Sequence, residues 1–286
     1  MAKTHDLKRR IRSIKNTMQV TKAMKMVSAA RLRRAQDRIL AARPFAVTTS
    51  KVLASLASRA NPELHPLLVQ RPIQRVELIL VTSDRGLCGS FNANAIKAAM
   101  TFLATQPHDR VNVMSVGRRG RDFVRRRPRA NITGEWVDIF RTLDFTTARA
   151  ISDDVIKRYV DGEIDAVHVA YNEFKSVVAQ RSVVEQILPI PRADLTAAGE
   201  GEDYIYEPDA ESLFEAILPG YVRSQVWRAL LESAAAEHAA RMTAMDSATK
   251  NAKELTEALT LHMNRVRQAS ITTEIIEVVS GAAALG

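Results

Sequence analysis

Residues 222–280 read VRSQVWRALLESAAAEHAARMTAMDSATKNAKELTEALTLHMNRVRQASITTEIIEVVS. Neither proline nor glycine interrupts them, and good helix formers (alanine, leucine, glutamate, lysine, arginine, methionine) dominate. From Tyr221 to Ser280 the stretch predicts a single helix about 90 Å long. A helix of that length needs a partner along much of it, because packing of an apolar face holds a helix more than propensity does.

The other end of the chain supplies a partner. Residues 3–43 also lack glycine and proline, and Leu7, Ile11, Ile14 and Met18 recur in the alternating spacing of a heptad seam. The pattern continues through Thr21, Met24, Val27, Leu32, Ala35, Ile39 and Ala42. Pro44 is expected to kink the helix or restart it, with helix again over 47–57. Asn61-Pro62, Pro66 and Pro72 mark a linker.

Between the two helices the pattern changes. Strands are predicted at Val76–Val81, Val111–Val116, Ile164–Tyr171 and Ser182–Leu188, with helices near Asn92–Thr105 and Phe145–Val160. The basic run GRRGRDFVRRRPRA (117–130) is expected to hold a short helix before Pro128. Strands alternating with helices argue for an α/β layer with a partly parallel sheet. Pro189, Pro191, Gly199 and Gly201 mark the exit, Asp209 is a candidate N-cap, and Pro219-Gly220 a candidate joint before the long helix. The expected fold class is mixed α+β and α/β: a long antiparallel coiled coil of the N- and C-terminal helices with an inserted Rossmann-like α/β domain. The expected boundaries are a helix over 1–60, a linker over 61–74, the α/β domain over 75–192, a linker over 193–208 and the long helix over 209–286.

Composition bounds the function. Aromatic residues are 5% of the chain, which suits helix pairs with small seams. No run approaches the ~18 consecutive apolar residues of a membrane span. The start, MAKTHDLKRRIRSIKN, is basic but lacks the apolar region and cleavage pattern of a secretory signal. It already carries the heptad pattern, which argues against a transit peptide. The lone Cys88 rules out an internal disulfide. Residues 1–59 hold 15 Lys/Arg against Asp6 and Asp37, a balance of +13 in a chain of net +9, so the remainder is −4. An anionic partner for the N-terminal arm, or a solvated basic face, is implied.

The loop TSDRGLCGSFN (82–92) lies between strand and helix, where phosphate loops occur, but it has neither G-x-G-x-x-G nor a P-loop Gly-Lys-Ser/Thr. A tight turn in which Gly86 and Gly89 take unusual dihedrals is the favoured reading. The six histidines show no metal-ligand spacing, and no Ser-His-Asp or Cys-His set can be argued. Catalytic, metal and cofactor sites are therefore expected to be absent.

Four passages carry a resemblance: IRSIKNTMQVTKAMKMVSAARLRRAQ (11–36), TSDRGLCGSFN (82–92), DYIYEPD (203–209) and NRVRQASITTEIIEVVSGAAAL (264–285). Together they resemble the gamma subunit of the rotary F-type ATP synthase over essentially the whole chain. The resemblance implies a non-catalytic central rotor stalk, one copy per complex, turning inside the alpha-beta hexamer and joined below to the epsilon subunit and the membrane c-ring. It implies beta-subunit contacts at Met24, Lys25, Arg267, Gln268 and Thr272, with Lys22, Arg31, Arg33 and Arg34 suited by charge to an acidic loop. It also implies an epsilon or lower-stalk contact at Tyr204, and a C-terminal tip (VVSGAAALG) turning in an apolar collar. Plastid relatives carry an inserted cysteine pair that is missing here. With the missing transit peptide, this favours the cytoplasmic face of a bacterial inner membrane, as a peripheral subunit. Two other readings stay open from the residues alone. One is a nucleic-acid-binding coiled coil using Arg118, Arg119, Arg121, Arg125, Arg126, Arg127 and Arg129; the family shows a similar basic run, which favours instead a solvated surface or stalk contact and no nucleic acid. The other is a dinucleotide enzyme built on the α/β insert.

Overall fold

A computed structural model describes residues 2–57, 65–106, 111–127, 130–191 and 209–284. In chain order they form α1 (Ala2–Ala57), β1 (Val76–Val81), α2 (Phe91–Thr105), β2 (Val111–Val116), α3 (Arg118–Val124), β3 (Ala130–Trp136), a 3-10 turn (Ile139–Arg141), α4 (Phe145–Val160), β4 (Ala166–Phe174), β5 (Gln180–Leu188) and α5 (Ala210–Ala284). The chain divides into two compact units, one of Ala29–Ala240 and one of Met1–Ser28 with Arg241–Gly286.

The sheet-bearing unit is built on five strands in the order β3-β2-β1-β4-β5. β1 runs parallel to β2 and β4, β2 parallel to β3, and β5 returns antiparallel to β4. Every residue of β1 is buried, as expected of a central parallel strand covered on both faces. Ile79 and Val81 join the core formed with Ile151, Val155 and Tyr159 of α4. Leu78 and Leu80 face Ala99 of α2 and Val124 of α3. The first of these cores also takes Leu53 and Leu56 from α1 and Phe214, Leu218, Val222 and Leu230 from α5.

One expectation is corrected and one strand was not foreseen. Pro44 lies inside α1, which does not restart there and continues to Ala57. Pro219-Gly220 is not a joint: α5 starts at Ala210 and runs through both residues. Asp209 begins it by accepting the Ser212 N–H at 2.8 Å, and Leu218 and Val222, on either side of Pro219-Gly220, are both buried at 0% exposure. That burial outweighs the one helix hydrogen bond the proline cannot donate. The strand not foreseen is β3: its sequence ANITGEW carries a mid-strand glycine, although Ile132, Thr133 and Trp136 are good strand formers. The glycine is there because Met114 of β2 lies opposite, with its Cγ 3.2 Å from where a Cβ at Gly134 would sit. In the loop after β1, the positive φ belongs to Leu87 and Gly89 rather than to Gly86. Gly117, at φ +94, ends β2 so close to Thr82 that a Cβ would stand 2.1 Å from its carbonyl oxygen. That combination excludes every other residue.

His168 on β4 packs its ring 4.5 Å from that of Phe102. Burial lowers its pKa to about 4, and its Nδ1 finds no partner among the described residues. An unfolded histidine takes up a proton near pH 6.5, whereas this one stays neutral until about pH 4. The unfolded state therefore binds more protons in that window, and stability falls as pH drops through it. His168→Leu should remove on the order of 2 kcal/mol of this acid sensitivity. Urea unfolding at pH 7 and pH 4.5 checks it: equal pH dependence in both proteins would refute the assignment.

Candidate functional site

Sequence reasoning placed the chemistry on the paired terminal helices, which meet in the unit of residues 1–28 and 241–286. Positions 7, 11, 14, 18, 21, 25 and 28 of α1 are all buried or half-buried, and they alternate by four and three residues. Positions 245, 249, 252, 256, 259, 263, 266 and 270 of α5 do the same. This is one unbroken heptad frame on each helix. The sequence reading drifted out of that frame after Thr21, following the apolar Met24 and Val27. Val27 is 53% exposed, whereas Ser28 beside it is 2% exposed. The spacing alone, carried through the polar residues, would have found the seam.

The polar seam residues are matched across it. The hydroxyls of Thr21 and Thr249 lie 2.8 Å apart, so one donates to the other, and the acceptor's own proton goes to its helix, to the Met18 or the Met245 carbonyl. One turn on, the Lys25 ammonium donates to Asp246 at 2.6 Å. As α1 advances α5 recedes, so the helices are antiparallel. Lys25 first, and Lys250 at 3.4 Å second, hold the Asp246 carboxyl below the usual carboxylate range. Lys25 is thus engaged within its own chain. Met24 is half-buried on the flank of the seam, beside Met26 at 67% exposure. Lys22, Arg31, Arg33 and Arg34 are exposed. Arg267, Gln268 and Thr272 are exposed on α5, with the Thr272 hydroxyl donating to the Gln268 carbonyl at 3.0 Å. Every residue from Ile271 to Ala283 is exposed, including Ile275, Ile276, Val278 and Val279. Tyr204 and Arg129 lie outside the described residues.

The α/β layer was the other candidate. Open sheets of this kind take ligands beyond the carboxyl ends of the strands, where the strand order reverses. Here that place lies between β1 and β4, and it is filled. Cys88 and Phe91 after β1 and Phe174 at the end of β4 pack against Ala236 and Ala240 of α5. The loop is also closed on itself: the Asn92 side chain accepts from the Ser83 N–H at 2.9 Å and donates to the Ser83 hydroxyl at 2.8 Å. The turn reading of this loop holds, and Cys88 is buried. Among the described residues no cluster of three or more His, Cys, Asp or Glu side chains has the geometry to hold a metal ion.

The basic run after β2 is largely engaged. Arg118 pairs with Asp138 at 2.6 Å, Arg121 with Asp122 at 2.7 Å, and Arg125 holds Glu135 through two hydrogen bonds. Arg127 lies over the Phe123 ring. These pairings favour the solvated-surface reading over a nucleic-acid patch. No described helix is long and apolar enough to cross a membrane.

The profile of a protein family described as ATP synthase matches residues 3–285. An ATP synthase gamma chain from Anaeromyxobacter sp. (strain Fw109-5) is 48% identical over 290 residues, covering 100% of both chains. Among solved structures, a chain of the Tetrahymena thermophila mitochondrial ATP synthase central stalk and c-ring is 28% identical at a TM-score of 0.60, covering 80% of this chain and 99% of that one. A chain of the Euglena gracilis mitochondrial ATP synthase shares the fold at a TM-score of 0.70 and 18% identity, covering 99% of this chain and 95% of that one.

The bridge across the seam has a direct check. Lys25→Glu should lower the melting temperature of the full chain, and adding Asp246→Lys should recover most of the loss. An equal melting temperature in all three proteins would show that the pair does not set the register.

Proposed function

This chain belongs to the ATP synthase gamma-chain family, and from that membership we infer that it is the central rotor stalk of a rotary ATP synthase. It couples ion-driven rotation of the c-ring to ATP synthesis, or hydrolysis to reverse rotation, and carries no catalytic residue of its own. The observation that carries this reading is 48% identity to a gamma chain over the full length of both, joined to a pair of antiparallel terminal helices whose outer faces are left open.

The mechanism follows from shape and charge. A two-helix shaft has no three-fold symmetry, so it cannot present the same face to each of the three beta subunits around it. Each beta subunit meets a different surface, and the difference in contact free energy between its open and closed states sets which state it adopts. Turning the shaft moves that bias from one site to the next. The absence of glycine and proline from Tyr221 to Ser280 suits a part that must carry torque. Met24, with the exposed cations Lys22, Arg31, Arg33 and Arg34, meets an acidic loop of the beta subunit. Arg267, Gln268 and Thr272 meet a second beta-subunit loop. Lys25 acts first on Asp246, so its part in the beta contact is to position the neighbouring turn. Tyr204 contributes to the epsilon or lower-stalk contact. In this reading the subunit sits peripherally on the cytoplasmic face of a bacterial inner membrane, and its α/β domain, residues 75–192, lies toward the epsilon subunit and the c-ring.

Mixing the purified chain with alpha and beta subunits tests the reading. A complex holding one copy of this chain and hydrolysing ATP is expected; activity independent of the chain would overturn it. In a membrane-reconstituted complex, Met24→Lys should lower ion pumping per ATP hydrolysed by severalfold while leaving the melting temperature of the free chain within a few degrees. Unchanged coupling would remove Met24 from the contact.

A further inference from the structure

One acid of the sheet-bearing unit is left without a short-range partner. Glu232 of α5 lies between the buried Leu231 and Ser233, and its side chain is 15% exposed. Its Oε2 is enclosed and has no hydrogen-bond partner among the described residues. Arg228, one turn earlier, approaches the carboxylate only to 3.8 Å, beyond hydrogen-bond length. The short contacts of Arg228 go elsewhere, to Glu185 of β5 at 2.6 Å and to Gln225 at 3.0 Å.

The groups that face Glu232 leave the same deficit. Glu173 at the end of β4 pairs with Lys175 at 2.5 Å, and Glu185 pairs with Arg228. Glu232 adds a third carboxylate to two cations. The buried Tyr171 of β4 lies beside Glu185 and Glu232, and its hydroxyl meets neither in a formed hydrogen bond. Burial is the main influence on the Glu232 carboxyl and pushes it above the usual carboxylate range; Arg228 opposes the rise, Glu173 and Glu185 add to it, and Lys175 opposes it. A carboxyl so placed holds a proton more readily than it holds a charge. On its other side Glu232 lines an open trough between α1 and α5, which the exposed Arg43 of α1 also lines.

We propose that Glu232 is a proton-operated latch between α5 and the sheet: protonated, it turns inward to the Tyr171 hydroxyl and seats the helix; ionised, it turns out to the trough and Arg43, and the helix loosens. The protonated form gives a partner to two buried polar atoms at once, since the carboxyl O–H donates and the hydroxyl accepts. The ionised form has to reach water or Arg43, and it leaves the Tyr171 hydroxyl unpaired. The residues directly after the latch, Ser233 to Ala239, are all buried. Glu232 therefore sets how firmly the sheet-bearing unit grips α5. The inference rests on contacts within this chain and does not depend on the rotor reading.

An unfolded glutamate loses its proton near pH 4.5, whereas this one keeps it to higher pH. Between those two values the folded state binds the extra proton, so the stability that the latch contributes is lost as pH rises. Full-length wild type and Glu232→Gln, whose amide imitates the protonated acid, are compared at pH 5 and pH 8. The effect of His168 is common to both proteins and cancels. The variant should melt about 2–4 °C above wild type at pH 8 and within about 1 °C of it at pH 5. Hydrogen exchange of the 233–239 amides, corrected for intrinsic rates, should lose about tenfold in protection from pH 5 to pH 8 in wild type and little in the variant. By NMR of labelled glutamate carboxyl carbons, the signal missing from the variant should titrate above the rest, and at lower pH in Tyr171→Phe. A variant less stable than wild type at pH 8, an equal difference at both pH values, or unchanged exchange would overturn the latch. So would a Glu232 carboxyl that ionises with the exposed glutamates or ignores Tyr171→Phe. Glu232→Met is the second neutral variant; failure of both to fold would show that the charge is required, which is the opposite of the proposal.

Discussion

The structure depends on one close contact, the burial of the small-residue segment of α5 against the α/β layer. From Ser233 to Ala239 every side chain is buried, and Ala235, Ala236 and Ala239 are fully enclosed. Alanine lets the helix backbone approach Cys88, Phe91 and Phe174 at the ends of β1 and β4. Larger side chains there would hold the helix away from the sheet and open the crevice. Asn172 completes the junction by donating from β4 to the Phe91 carbonyl at 3.1 Å. The α/β layer accordingly does not close its own core. Leu53 and Leu56 of α1 and Phe214, Leu218 and Val222 of α5 share one apolar cluster with Ile151 and Val155. Loss of either terminal helix would expose it, so the sheet and the helices fold as mutual supports.

The seam of the paired helices is built on a different principle. Thr21, Lys25 and Ser28 on one helix and Thr249, Ala252 and Thr256 on the other occupy positions that a stable coiled coil fills with leucine and isoleucine. Polar residues there lower stability and raise specificity, because only one register pairs Thr21 with Thr249 and Lys25 with Asp246. A pair fixed in register but lightly glued keeps a thin cross-section.

Much of this was legible in the sequence, and the misses share a cause. Val76–Val81, Val111–Val116 and Phe145–Val160 were readable to the residue, because undivided apolar runs and a clean helical period leave little competition. β3 was missed because its glycine answers to Met114 on another strand, a fact of pairing and not of local propensity. Pro219 was read as a break because local chemistry says so, but burial of Leu218 and Phe214 overrules it. The heptad frame was lost at Lys25 and Ser28 for a related reason: burial was inferred from apolarity, while the partner that makes Lys25 acceptable, Asp246, lies more than two hundred residues away. Met24, Arg267, Gln268 and Thr272 were singled out by resemblance alone. Nothing in their own spacing distinguishes them from their neighbours on the same helices, and the contacts proposed for them are with other chains.

The exposed end of α5 shows how such a part can act without chemistry of its own. Ile271, Ile275, Ile276, Val278 and Val279 fall within one half of the helix, and Glu274 and Glu277 lie on the other. Beyond Ser270 no described residue of the chain covers either half. Thirteen residues of helix with no packed face are marginal in water, so this end needs a partner to stay helical. Whatever surrounds it meets an apolar half on one side and an acidic half on the other. Subunits arranged around it therefore cannot be in equivalent environments at any one angle, and a rotation exchanges which of them meets which face. In the rotor reading proposed above, this two-sided pattern is one asymmetry that a rotation would carry from site to site, with no catalytic group required.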